Sequence, residues 1–185
     1  SIFTHTLLAL SKTKTAPLEF LYALLFHDIG KPQQAKRVLK KEGWVISTKG
    51  HADVSADIFL KFAEKLKFPT RSVRTIEWLI RNHMLMVTFF SLPVDNQLTL
   101  ANNPDFPLLL KHWTYDEQAT KRIGQSDGHH KLYLKSLRAA EKLIRRIHRK
   151  QSLISTLARG NLVLKYNPSV SGIEIGKKLS EIKKQ

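Results

Sequence analysis

The chain of 185 residues contains no cysteine, so neither a disulfide framework nor a thiolate zinc finger is open to it. Only eight glycines and seven prolines are present, which excludes collagen-like and low-complexity architectures. Acids are scarce as well. Fifteen Asp and Glu stand against 31 Lys and Arg, a formal charge of +16 that favours polyanionic partners. The longest unbroken apolar run, Phe20 to Phe26, is far short of the roughly 20 residues a membrane span requires. No secretory leader is visible, so a cytoplasmic chain without a membrane partner is expected. The opening at Ser1, with a helix-like pattern around His5 almost at once, suits a piece of a longer polypeptide.

What is present is helical punctuation around one substantial core, with 42% hydrophobic residues. Pro17 and Glu19 open a helix carrying Leu18, Leu21, Tyr22, Leu24 and Leu25, which Gly30 and Pro32 stop. The alternation from Val38 to Ile46 around Glu42-Gly43 predicts a small hairpin or irregular loop. Val54, Ile58, Phe59, Phe62, Ala63 and Leu66 follow helical spacing up to Pro69. Thr70 then reads as the N-cap of a helix through Val73, Ile76, Leu79 and Ile80 to His83. The Pro and Asn signals from Met84 to Pro107 predict a loop, and Leu108 to Tyr115 a further apolar segment before Asp116. From Lys131 to Arg149 a long amphipathic helix is expected. Tyr133, Leu137, Ala140, Ile144 and Ile147 form its apolar face, and Lys131, Lys135, Arg138, Lys142, Arg145 and Arg149 its cationic stripe. A Gly172/Gly176 turn and a short basic helix close the chain.

Six potential metal ligands, His5, His27, Asp28, His51, His83 and Asp116, are spread so that different helices would supply them, which is how helical bundles build metal sites. Imidazoles and carboxylates without thiolates suit first-row transition metals. Asp28 also stands near a helix C-terminus, where the dipole disfavours a negative charge unless a cation compensates. Lys31 and a bound metal ion are the two cations available for that.

The blocks Phe3-Thr4-His5-Thr6-Leu7-Leu8, Leu24-Leu25-Phe26-His27-Asp28-Ile29-Gly30-Lys31-Pro32, Gly50-His51-Ala52-Asp53-Val54-Ser55-Ala56 and Arg81-Asn82-His83, with Asp116, resemble the HD phosphohydrolase pattern. Lys67-Phe68-Pro69 and the run from Trp78 to Leu85 are similar to the C-terminal half of bacterial tRNA nucleotidyltransferase and poly(A) polymerase family proteins. The resemblance extends loosely to Ile173–Leu179, where Ser171-Gly172-Ile173 replaces the family's Pro-Gly-Pro turn. It implies an all-α HD-type helical bundle over residues 1 to about 125, followed by a basic helical extension over 126–185. It also implies one or two divalent ions from the set manganese, iron, nickel, zinc and magnesium. His5, His27, Asp28 and Asp116 would hold the first, with His51 and His83 as the extra ligands of the two-metal variant, in which Asp28 bridges. Asp28 and Lys31 are the catalytic candidates, with Lys31 holding a phosphoryl oxygen, and His51 or His83 can instead position the leaving group. Such a centre lowers the pKa of a bound water towards about 7 and neutralises charge developing on phosphorus. The expected activity is phosphodiester or phosphomonoester hydrolysis on nucleotides or RNA termini. The family's transferase head needs a Gly-Ser turn and an Asp-x-Asp pair. No two Asp residues here stand two apart, so nucleotide addition by this chain alone is not expected.

Each feature also has a plainer reading. A single buried histidine is usually a hydrogen-bonded core residue, and only six donors in one family's order reverse that weighting. His112, four before Asp116, fits a supporting role. Asp53 and Asp57 read as helix N-terminal charges, His129 and His130 as turn residues, His148 as a solvated helix position, and Trp44, Trp78 and Trp113 as core or loop anchors. Residues 121–150 hold ten Lys and Arg against Asp127 and Glu141, a local charge of +8. With six cations on one stripe, this favours RNA or tRNA phosphate contact over a merely solvated face. The Val170 to Gly176 turn offers a weaker phosphate signal. The alternative function is an RNA-binding half of a nucleotidyltransferase whose HD residues serve architecture.

Overall fold

In the computed structural model, residues 1–41, 43–120, 127–157 and 177 are described. The order is α1 (Ile2–Ser11), α2 (Leu18–Phe26), a one-turn α3 (Lys31–Gln34), β1 (Lys36–Lys40), β2 (Gly43–Ser47), α4 (His51–Lys65) and α5 (Thr70–Asn82). Two 3-10 turns, His83–Val87 and Phe89–Ser91, precede α6 (Val94–Ala101), α7 (Phe106–Thr120) and α8 (Asp127–Leu157). The all-α class read from the sequence is correct, with one two-stranded hairpin as the exception. No helix among the described residues is long and apolar enough to cross a membrane.

The chain divides into two compact units, Ser1–Ala140 and Glu141–Gln185. In the first, α2 lies between α5 and α7, α4 packs on α5, and α1 packs on both α7 and α2. Phe20 and Leu24 of α2, Phe59 of α4, Ile76, Leu79 and Ile80 of α5, and Leu109 and Trp113 of α7 are essentially inaccessible. Their i, i+3, i+4 spacing is what turns one face of each helix inward. The unit continues beyond residue 125 to Ala140 because the start of α8 belongs to it. Tyr133, Ser136 and Ala140 are buried, and the Tyr133 hydroxyl donates to Thr114 Oγ1 on α7 at 3.0 Å. The described part of the second unit is the helical stretch 141–157 and Lys177.

Several local expectations are corrected. The stretch from Met84 to Pro107 is not a loop. Pro93 is the N-cap of α6, Pro107 is the second residue of α7, and Met86 and Phe89 are buried in the turns between. Both prolines open helices, where a missing N–H costs nothing. Pro32 likewise lies in the first turn of α3 instead of stopping a helix, and α2 has already ended at Phe26. Thr70 is the first residue of α5, with Pro69 at the cap and no side-chain capping bond. His129 and His130 belong to α8, not to a turn. The Val38 to Ile46 hairpin is present, with Leu39 opposite Trp44 and Arg37 opposite Ile46. The Gly172/Gly176 turn, the short helix after it and the Val170 to Gly176 phosphate signal lie outside the described residues.

Two contacts fix how the helices present their ends. Gly30 follows Asp28 in the turn after α2, and its N–H donates to the buried Ser55 Oγ on α4 at 2.9 Å. A Cβ on Gly30 would lie 2.6 Å from the His51 carbonyl oxygen and 2.7 Å from the Ser55 nitrogen, so the turn and α4 approach each other as closely as two backbones can. Arg81 of α5 bonds Asp53 and Asp57 of α4 and Glu77 of its own helix, at 3.1, 2.8 and 3.0 Å. Gly30→Ala is expected to destabilise the chain by roughly 1–3 kcal/mol through this overpacking. Urea unfolding checks the value, and an unchanged midpoint would show that the close approach is dispensable.

Candidate metal centre

Four of the six donors stand at helix ends, and His5 and Asp116 reach them from within α1 and α7. His27 follows α2, His51 opens α4 and His83 follows α5, and each ring folds back on the carbonyl three residues earlier. The Nδ1 to oxygen distances are 2.8 Å to Leu24, 2.9 Å to Thr48 and 2.6 Å to Ile80. A carbonyl only accepts, so Nδ1 carries the hydrogen in all three, and each neutral ring presents the Nε2 lone pair inward. The Thr48 and Ile80 carbonyls also accept the backbone N–H of His51 and His83, so ring and backbone of each histidine share one acceptor.

All six sequence-predicted ligands meet around Asp28. Its Oδ2 lies 3.3 Å from His27 Nε2 and 3.8 Å from His5 Nε2, and its Oδ1 lies 3.2 Å from His51 Nε2 and 3.7 Å from His83 Nε2. Asp116 Oδ1 lies 2.7 Å from His5 Nε2 and 3.4 Å from His27 Nε2. Two donor trios result, His5–His27–Asp116 and Asp28–His51–His83, each with its donor atoms within 4.8 Å of one another. Asp28 directs one oxygen to each trio. His27, Asp28, His51 and His83 are buried, while His5 and Asp116 are half-buried.

The trios are rich in acceptors and poor in hydrogens. His51 Nε2 and His83 Nε2 face each other at 3.1 Å, and His27 Nε2 and Asp28 Oδ1 are buried without a hydrogen-bond partner. Lone pairs converging on carboxylate oxygens at these separations are what a shared cation satisfies, so the donor set fits a divalent metal of the first transition row. Without one, protons carry the load. Burial pushes His27 down, but Asp116 and Asp28 outweigh it and raise its pKa to about 10. Asp28 and Asp116 resist burial's upward push because His27, with His51 and His83 at the first and His5 at the second, holds both well below the carboxylate range. Burial lowers the pKa of His83 despite Asp28.

Lys31 Nζ donates to Asp28 Oδ2 at 2.5 Å. It therefore compensates part of the charge at the end of α2, as its place in the sequence allows. A cleft of about 670 Å³ opens over the site, lined by His5, Asp28, Lys31, His83 and Asp116. Glu117, Thr120 and Tyr133 also line it; nothing in the sequence marks out the first two, and Tyr133 reads there only as part of an apolar helix face. His112 belongs to neither trio. It is fully buried with its ring 5.1 Å from His27 and 5.8 Å from His83, and burial together with His27 and His83 pushes its pKa well down. It supports the rings from behind as a neutral group.

The remaining candidates fall elsewhere. Asp53 and Asp57 are taken up by Arg81. His148 is exposed, as expected. Lys131, Lys135 and Arg138 are exposed in the first unit, Lys135 with its ammonium 5.7 Å over the Phe90 ring, and Lys142, Arg145 and Arg149 are exposed in the second. Trp113 is buried and Trp78 half-buried, whereas Trp44 is 63% exposed on the hairpin, so of the core and loop readings the core one does not apply to it.

Helices that gather imidazoles and carboxylates around one aspartate define a metal-binding helical domain. The HD domain family matches residues 3–101, more than half of the chain, and the protein belongs to that family. Asp116 lies beyond the matched span and joins the site through α7. A curated relative, the CC-adding tRNA nucleotidyltransferase of Thermus thermophilus, is 41% identical over 69 residues, which make up 37% of this chain and 15% of the relative. The chain thus covers a small part of that protein's length. No solved structure matches.

The competition between protons and metal gives a pH signature. In the metal-free chain, stability tied to the raised His27 is complete below the unfolded value of 6.5 and is lost as pH rises towards about 10. Stability tied to the depressed Asp28 and Asp116 is complete above about 4 and is lost as pH falls. The melting temperature in EDTA is therefore expected to decline from about pH 6.5 to 9.5, and manganese to reverse the decline, because its binding displaces protons. A flat profile in EDTA would count against this picture of the site.

Proposed function

We propose that the protein is a metal-dependent phosphohydrolase acting on a nucleotide or RNA-terminal phosphate ester. The observation that carries this reading is the pair of donor trios joined by Asp28 beneath a cleft that also holds a lysine. His5, His27 and Asp116 would hold one divalent ion and His51 and His83 a second, with Asp28 reaching both. Bound there, such ions supply Lewis-acid activation of water and of phosphoryl oxygens.

The chain's own groups account for the rest. The Nδ1–H bonds to Leu24, Thr48 and Ile80 fix the rings before substrate arrives, so no reorientation is needed at the moment of reaction. Lys31, on the cleft wall and already beside Asp28, offers its ammonium to a phosphoryl oxygen. In the overall change a water oxygen bonds to phosphorus, the ester P–O bond breaks, and the departing alkoxide takes a proton. The half-exposed pair His5 and Asp116 marks the side from which water and substrate enter, since the other four donors are buried.

The relative's action on tRNA, the charge of +16 and the exposed cations of α8 support RNA as the polyanion that brings the ester to the site. Lys131, Lys135, Arg138, Lys142, Arg145 and Arg149 would contact phosphates without reading bases. A cytoplasmic setting, where tRNA and nucleotides are abundant, goes with this reading.

The manganese-loaded chain is expected to hydrolyse bis-p-nitrophenyl phosphate or 2′,3′-cyclic nucleotides. His27→Ala and Asp28→Ala are expected to lose both bound metal and at least ~100-fold in rate, the upper end of what losing a ligand's supporting partner costs. A wild-type chain that takes up no metal, hydrolyses neither substrate and still binds tRNA would instead assign the HD residues to architecture. For the cations, the K131E/K135E/R138E variant is expected to weaken tRNA binding and to flatten its logarithmic salt dependence by about one for each phosphate that is no longer neutralised. Filter binding at several salt concentrations reads both, and an unchanged slope removes α8 from the RNA-binding surface.

A further inference from the structure

The hairpin carries a face that the metal centre does not use. Arg37, Leu39, Trp44 and Ile46 lie together on one side of it, because Arg37 pairs with Ile46 and Leu39 with Trp44 in an antiparallel register. Leu39, Trp44 and Ile46 are 67%, 63% and 71% exposed, while Val38 and Val45 on the opposite side are half-buried. The Arg37 guanidinium sits 5.3 Å from the centroid of the Trp44 ring. Arg37 lies on this face, while Lys36 and Lys40 are exposed on the same hairpin but alternate to the side of Val38 and Val45, and Lys41 and Lys49 are exposed beyond the strand ends.

We infer that this face binds single-stranded polynucleotide, with a base stacked on Trp44 and the adjoining phosphates on Arg37 and the neighbouring lysines. A second copy of this chain, itself carrying +16, or an uncharged protein surface would cover the apolar residues but bring no opposite charge to Arg37 and the hairpin's lysines. A single strand satisfies both, since its bases offer flat apolar faces and its phosphates the opposite charge. Duplex RNA keeps its bases stacked inside and cannot use the indole.

The hairpin is also built into the site. Its first strand follows α3, which begins with Lys31, and its second runs into Thr48, whose carbonyl holds the His51 ring. A strand seated here is held by the same segment that presents Lys31 and His51. This deepens the hydrolase reading by naming a single-stranded substrate, although binding itself does not require hydrolysis.

Binding of a labelled single-stranded RNA of about twelve nucleotides to the full chain in EDTA tests the assignment without any chemistry. The strand is expected to quench tryptophan emission, Trp44→Ala to weaken binding about tenfold or more, and Trp44→Phe to restore most of it, because stacking needs only an aromatic face. Arg37→Glu is expected to weaken binding and reduce its salt dependence, and duplex RNA to compete poorly. Trp44 is exposed, so melting curves of the variants should match wild type and separate weakened binding from failed folding. Equal affinity of wild type and Trp44→Ala overturns the proposal, as does self-association that Trp44→Ala abolishes while RNA binding stays unchanged. A chain that binds through Trp44 but hydrolyses nothing when metal-loaded would retain this inference and reject the hydrolase reading.

Discussion

Three imidazoles donate their Nδ1 hydrogens to backbone carbonyls, and that commitment governs the centre of the molecule. Once those hydrogens point outward, only lone pairs are left to face Asp28 and Asp116, and a buried cluster of acceptors is unstable without a cation. A proton shared by His27 and the carboxylates, the Lys31 ammonium at one oxygen of Asp28, and a divalent ion are the ways to supply one. The burial of Asp28 and His27 follows the same logic, since an unpaired charge could not be kept there.

The fold serves this cluster by bringing the ends of α2, α4 and α5, which carry His27, Asp28, His51 and His83, against His5 from within α1 and Asp116 from within α7. Adjacent side chains on a continuous helix point about 100° apart and could not both address one centre. His27 and Asp28 do so because α2 stops at Phe26 and the chain turns through Gly30. The glycine allows the turn to rest against the backbone of α4, which sets the distance from Asp28 to His51. Arg81 ties α4 to α5 two residues before His83. Asp28, His51 and His83 are thus placed by interactions close to them in sequence, an arrangement that preorganises the donors.

The parts of the fold that were legible share a cause. Helices α4 and α5 are marked by periodic apolar residues, and periodicity reports directly on a buried face. The six ligand candidates were legible through residue type and their resemblance to a known pattern. The segment from Met84 to Pro107 reads as a loop because proline both ends helices and begins them, and only the surrounding packing separates the two uses. The exposure of Trp44 is illegible for a related reason. A large aromatic residue is usually buried, and nothing in the sequence shows that the hairpin turns its Leu39, Trp44 and Ile46 side to solvent.

Taken alone, the sequence determined the donor chemistry of this protein, its excess of positive charge and its helical character, because these depend on residue types and on spacings within single elements. Tertiary structure alone decided that His5 and Asp116, 111 residues apart, stand 2.7 Å from each other, that Asp28 turns one oxygen to each trio, and that a cleft opens above them. Distances between elements are set by how their side chains interlock, and that packing involves all the elements at once.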